Sequence, residues 1–159
     1  MQMLKTWGVS ACAACCICAS AVSSAAVDGV VVGALAGDVL TISAGGYSLT
    51  LHLAHVDAPQ LEQPYGHQAR RSLAELCDGK EASIDELVLL RKRRIVARVH
   101  CAGLDVSAEQ VRRGMAWVVP SDAERGSPLY ELERRARMAA RGLWAEALPV
   151  PPWKWPVEK

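Results

Sequence analysis

The fifteen residues HLAHVDAPQLEQPYG, from His52 to Gly66, hold two imidazoles, two carboxylates and two side-chain amides. Carboxylates are the ligands that hard cations take, and carboxylates and imidazoles are common general acids and bases. Further on, Arg91-Lys92-Arg93-Arg94 joins Arg70 and Arg71 as a set of cations suited to phosphate oxygens. The layout is that of a phosphodiester-cleaving site. His52 and Gln60 stand in the same stretch without a fixed charge. The basic residues have a plainer reading, a solvated loop, which competes with a nucleic-acid groove lined by Arg70, Arg71, Lys92 and Arg93. Trp153 and Trp155, in the tail PVPPWKWPVEK, are candidates for stacking on bases, or for docking the tail on its own domain.

Elements that position these residues follow from periodicity. VVVGALAG (Val30–Gly37) and VLTIS (Val39–Ser43) are β-branched runs split by a Gly-Asp turn. Ala44-Gly45-Gly46 signals a hairpin, after which YSLTLHLAHV alternates as a strand, with Leu49, Leu51 and Leu53 on one face and Thr50, His52 and Ala54 on the other. His55 has the opposite parity to His52. Pro64 opens a helix through PYGHQARRSLAELCDG, with Ala69, Leu73 and Leu76 at helical spacing. Two more strands, EASIDELVLL and RIVARVHC, precede a short helix, SAEQVRR, for which Ser107 and Gln110 form a capping box. MAWVV is a short buried segment. Ser127 caps a last helix begun by Pro128, whose Leu129, Leu132, Ala136, Ala139 and Leu143 face a core while Glu131, Glu133, Arg134, Arg135 and Arg137 face out. Five strands with a helix after the third and two helices beyond give an α+β domain on a closed five-stranded OB-type barrel.

The chain has 159 residues. Its first stretch reads as a secretory signal over residues 1–26, with one cation, Lys5, a small and apolar run, and Ser24-Ala25-Ala26 as the cleavage site. Export to the periplasm or medium follows, with lipidation at Cys12 after Val9-Ser10-Ala11 as the alternative. Losing this segment leaves basic and acidic side chains equal in number, so no global field draws the chain to a polyanion. Of six cysteines, Cys77 and Cys101 remain. In an exported domain such a pair forms a disulfide, with two buried thiols as the alternative. The domain then spans residues 27–148, with a Pro/Trp-rich tail at 149–159. No membrane-spanning segment is expected after cleavage, and a monomer is expected.

In order and spacing, Gly37-Asp38, LAHVDAPQ…QPYG, RRIVARV, GLDVSAEQVRRGMAWV, ELERRARMAARGLWA and PPWKW resemble the staphylococcal nuclease (thermonuclease) family over nearly all of the chain after the leader. The resemblance implies an OB-type barrel with three helices and Ca²⁺-dependent hydrolysis of DNA and RNA. It places the metal carboxylates on Asp38 and Asp57, the metal-binding carbonyl on Ala58, and one phosphate-gripping arginine on Arg94. It also places the other arginine on His52 and the general-base glutamate on Gln60, so both of those groups are lost. Ala36, Val39, Lys92 and Arg93 depart from the family pattern around them. Cys77 and Cys101 stand where many exported relatives carry a disulfide.

Gln60 keeps the shape of glutamate but accepts no proton, and a general base is worth about 10²–10⁴ in rate. Loss of an oriented phosphate-binding charge removes about 3 kcal/mol more, and histidine lacks the guanidinium fork. Two compensations are conceivable from sequence. Glu62, two residues past Gln60, is a substitute base; alternatively His52 joins Asp38 and Asp57 in a His/Asp/Asp set suited to Mn²⁺ or Zn²⁺. The expectation is an exported nuclease-fold domain with weak or absent cleavage that retains binding to single-stranded nucleic acid or to a protein partner. An active Ca²⁺-dependent endonuclease and a protein-interaction module are the alternatives.

Overall fold

The structure, a computed structural model, describes residues 27–90, 94–121 and 123–156. The expected leader, Lys92 and Arg93 lie outside the described residues. The main strands are β1 (Val27–Ala34), β2 (Val39–Ala44), β3 (Tyr47–Leu53), β5 (Glu81–Leu89) and β6 (Ile95–Cys101), with two-residue strands β4 (Val56–Asp57), β7 (Leu104–Asp105) and β8 (Trp117–Val118). Helices are α1 (Gly66–Cys77), α2 (Val106–Arg112) and α3 (Pro128–Met138).

β1, β2 and β3 form an antiparallel meander, β5 pairs with β1, and β6 pairs with β5. β3 returns alongside β6 in parallel, closing a five-stranded barrel, so the α+β OB-type expectation holds. The turn between β2 and β3 is Gly45-Gly46 with φ of 56° and 84°, the left-handed pair that a two-residue hairpin requires. Register shifts in β1 at Val31/Gly33 and in β5 at Asp85/Val88 supply the bends a closed barrel needs. With no phenylalanine in the sequence, Val31, Leu40, Ile42, Leu51, Ile84 and Val99 fill the interior. Ala69, Leu73 and Leu76 of α1 and Val106 and Val111 of α2 belong to the same core. The Cys77–Cys101 disulfide, with Cα atoms 5.4 Å apart, ties the end of α1 to the end of β6.

Several local expectations are corrected. β1 ends at Ala34, and residues 35–38 bend rather than continue as strand. β3 ends at Leu53, because the chain turns at His55, which has φ 67°. α1 begins at Gly66, after a left-handed Tyr65, and not at Pro64. Ser107 and Gln110 form no capping box: the cap of α2 is Asp105, whose side chain accepts from the Ala108 N–H at 2.9 Å. That helix starts directly off β7 against the barrel, so Ser107 and Gln110 face inward and bond elsewhere. Ser127 and Pro128 do start α3. Glu133, expected to face out, is buried and accepts from the Val118 N–H at 3.1 Å. Among the described residues no helix is long and apolar enough to cross a membrane.

Candidate active site

The bend at residues 35–38 delivers Asp38 to the barrel rim. Gly37 sits so close to α1 that a Cβ there would lie 2.5 Å from Ala69 Cβ and 2.7 Å from Ala58 Cβ. Its carbonyl accepts a 2.6 Å hydrogen bond from Gln110 Nε2, which also donates to the Ala69 carbonyl at 3.1 Å. Ser72 Oγ donates to Gln110 Oε1 at 2.7 Å, so every polar atom of this buried amide is engaged across α1, α2 and the bend. The Leu53 N–H donates to the Asp38 carbonyl at 2.8 Å, fixing the bend to the end of β3. Buried polar groups satisfied in this way hold one geometry.

Asp57 reaches the same rim from β4, opposite Trp117 of β8. The Asp38 carboxyl is buried and hydrogen-bonds to Asp57. Burial foremost, and then the Asp57 charge, push Asp38 up to about 7 from an ordinary 3.8, while the Arg94 guanidinium pulls it down. Two carboxyls forced together cannot both ionise cheaply, so one retains a proton or a cation takes its place. His52, on β3 between Val39 of β2 and Val96 of β6, lies near enough to Arg94 to feel its charge. Burial, and secondly Arg94, hold its imidazole below the usual histidine value. Its Nδ1 is buried with no hydrogen-bond partner among the described residues. Burial and Arg94 both disfavour the charged form of this imidazole.

A cleft of about 440 Å³ opens beside this group, lined by Asp57, Arg94, Val96, Val119, Pro120 and Trp153 among others. Trp153 comes from the tail, which is docked on the domain: Gln63 Nε2 donates to the Val150 carbonyl at 3.0 Å, and Pro152 is buried. Gln63 also organises the loop before α1, where its Oε1 accepts from the Gln60 N–H at 2.8 Å. Glycine is required at position 66, since a Cβ there would collide with the Gln60 carbonyl. The side chains of Gln60 and Glu62 are exposed, and neither lines the cleft that holds Asp57 and Arg94.

The structure thus brings together Asp38, Asp57, His52 and Arg94, with Ala58 buried next to Asp57. Among the described residues no three His, Cys, Asp or Glu side chains gather as a metal site, so the His52/Asp38/Asp57 set for Mn²⁺ or Zn²⁺ is not assembled. The adjoining carboxyls Asp38 and Asp57 fit a hard cation with oxygen ligands, and burial, then the Asp57 charge, already raises the proton affinity of Asp38. Arg70 and Arg71 are exposed on α1. Arg71 lines a different groove, with Arg112, Arg113, Arg141 and Glu75. There Arg112, above all, and Arg113 hydrogen-bond to Glu109 and hold it down to about 2, so these cations are partly neutralised already. Sequence reading missed the support provided by Gln110, Ser72 and Gln63. Only their occurrence as amides and hydroxyl among apolar neighbours hinted at it.

Barrel and capping helices define an OB-type α+β domain, and its rim sets two carboxyls beside a guanidinium. The family model described as Staphylococcal nuclease homologue matches residues 50–146. An "Uncharacterized endonuclease" of Escherichia coli is 33% identical over 130 residues, covering 81% of this chain and 84% of that protein. A "Micrococcal nuclease" of Shigella flexneri is 32% identical over 141 residues, covering 80% and 79%. A probable staphylococcal-like nuclease of Oryza sativa subsp. japonica is 34% identical over 105 residues, covering 66% of this chain and 28% of that protein. The chain belongs to the staphylococcal nuclease homologue family.

Proposed function

We propose that this domain binds nucleic acid at the Asp38/Asp57/Arg94 rim and hydrolyses phosphodiesters weakly or not at all. The observation that carries this reading is His52: the place that the resemblance gives to a phosphate-gripping arginine holds an imidazole whose Nδ1 is buried with no hydrogen-bond partner among the described residues. The exposed amide of Gln60 removes the second group, and Glu62 outside the cleft is poorly placed to replace it. The names of the relatives support nucleic acid as the ligand. Asp38 and Asp57, with the carbonyl of Ala58, would hold Ca²⁺, which when bound would neutralise phosphate charge and position a water. Arg94 would supply two parallel donors to a phosphate oxygen pair and hold the strand in register. The Cys77–Cys101 disulfide supports an exported location.

The test is hydrolysis of heat-denatured DNA in Ca²⁺, and in parallel in Mn²⁺, by the oxidised domain and by its His52→Arg/Gln60→Glu variant. The variant is expected to cleave at least about 10²-fold faster. Equal rates would overturn the reading. An active Ca²⁺-dependent endonuclease is the second reading, favoured by the nuclease names of relatives that are aligned over about four-fifths of this chain.

A further inference from the structure

Trp153 stands out from the rest of the tail. Its neighbours are used for packing: Pro152 is buried, and Trp155 lines a small cavity with Tyr65, Trp117 and Leu143. The turn that carries Trp153 is itself fixed, with the Lys154 N–H donating to the Pro151 carbonyl at 2.9 Å and the Trp155 N–H to the Pro152 carbonyl at 3.1 Å. Yet Trp153 remains 48% exposed. It is an indole held in place by a docked segment and left half uncovered, and what it faces is the cleft of Asp57 and Arg94.

The chemistry of that cleft is divided. One end carries Arg94, which suits a phosphate. The wall carries Val96, Val119 and Pro120, which suit nothing charged. A nucleotide has the same division, a phosphate joined through a sugar to a flat apolar ring system. The cleft's volume, about 440 Å³, falls within the ≈ 300–1,000 Å³ of small-ligand sites. A preset aromatic face loses little conformational entropy when a base covers it, and stacking accepts any of the bases because each has a π-face.

We propose that Trp153 is the stacking platform for the unpaired nucleobase attached to the phosphate held at Arg94, which makes the C-terminal tail part of the substrate site. The inference rests on the nucleic-acid reading above and deepens it. Trp153 acts here as a positioning residue: it fixes the nucleoside so that the linked phosphate comes to rest against Arg94 and the carboxyl pair.

The experiment measures binding of a short fluorescent single-stranded oligonucleotide with phosphorothioate linkages, in Ca²⁺, by the full domain and by Trp153→Leu, Trp153→Tyr and Arg94→Ala. A second oligonucleotide carries abasic sites in place of its nucleosides. Trp153→Leu is expected to weaken binding of the first about ten- to a hundredfold, and Trp153→Tyr to restore most of the loss. The abasic strand is expected to bind weakly and with the same affinity to the natural and Leu variants. If Trp153→Leu binds normally while Arg94→Ala does not, the stacking role is wrong and the nucleic-acid reading stands. A Leu variant that loses affinity equally for both oligonucleotides also overturns the stacking role, since the indole then matters only for the fold. If the natural domain binds no better than Arg94→Ala, both readings fall.

Discussion

The two sides of the rim are built to different standards. On the Asp38 side, Gln110, Ser72 and the Gly37 carbonyl form a buried set in which each amide atom has a partner. On the other side, His52 leaves a buried nitrogen with no partner among the described residues, and Gln60 is exposed. Groups that position the carboxyls are complete, whereas Arg94 is accompanied by an imidazole and an amide in place of further charged groups. The contrast separates scaffold from chemistry: the residues that hold the rim also hold the fold, so they serve stability whether or not the rim hydrolyses phosphodiesters.

Four measurements would break or sharpen this comparison. The largest effect is expected on the deficient side. His52→Arg alone and Gln60→Glu alone should each raise DNA hydrolysis, and the double variant should exceed either by more than tenfold, given about 10²–10⁴ for a general base. No gain in the double variant would mean that the complete side is not competent either.

The next effect concerns the carboxyl pair. An unfolded Asp38 loses its proton near 4, whereas the folded one keeps it up to about 7. Between those values the folded state binds more protons, so stability falls as pH rises, by up to about 1.4 kcal/mol per unit from this group. The group contributes no slope below that window or above it. Urea unfolding in chelator across pH 4–8 should show the decline, and Asp38→Asn should flatten it. An unchanged slope in the Asn variant would place the titration elsewhere.

Gln110→Ala strips partners from the Gly37 and Ala69 carbonyls and from the Ser72 hydroxyl, and should destabilise by about 3 kcal/mol in urea unfolding. Gln60→Ala, by contrast, should stay within about 0.5 kcal/mol, as exposed positions do. Similar losses for both would erase the distinction between the two sides.

Much of the frame was legible in the residues. Gly45-Gly46 needs no tertiary information to be a hairpin turn, and Ser127-Pro128 needs none to start a helix. Asp38, Asp57 and Arg94 were recognisable because their spacing matches a family. The supporting amides were not legible. Gln110 bonds to a carbonyl 73 positions away, and Gln63 to one 87 away, and no local pattern encodes such partners. At Ser107 and Gln110 the local capping pattern pointed to backbone partners within the helix start, which burial against the barrel overrode. Glu133 failed similarly, since a carboxylate at an outward helical position was drawn inward by the Val118 N–H. Trp153 could be read as aromatic and terminal, but its place beside Arg94 depends on how the tail docks.

The parallel seam between β3 and β6 has a kinetic consequence. His52 belongs to one strand of that seam, and Arg94 immediately precedes the other. The seam joins segments more than forty residues apart in sequence, and such pairings form late because their loop entropy is lost before they are rewarded. Until it closes there is no rim, so the proposed nucleic-acid ligand would recognise only the finished barrel. Such a ligand should slow unfolding in proportion to its occupancy and leave the refolding rate unchanged.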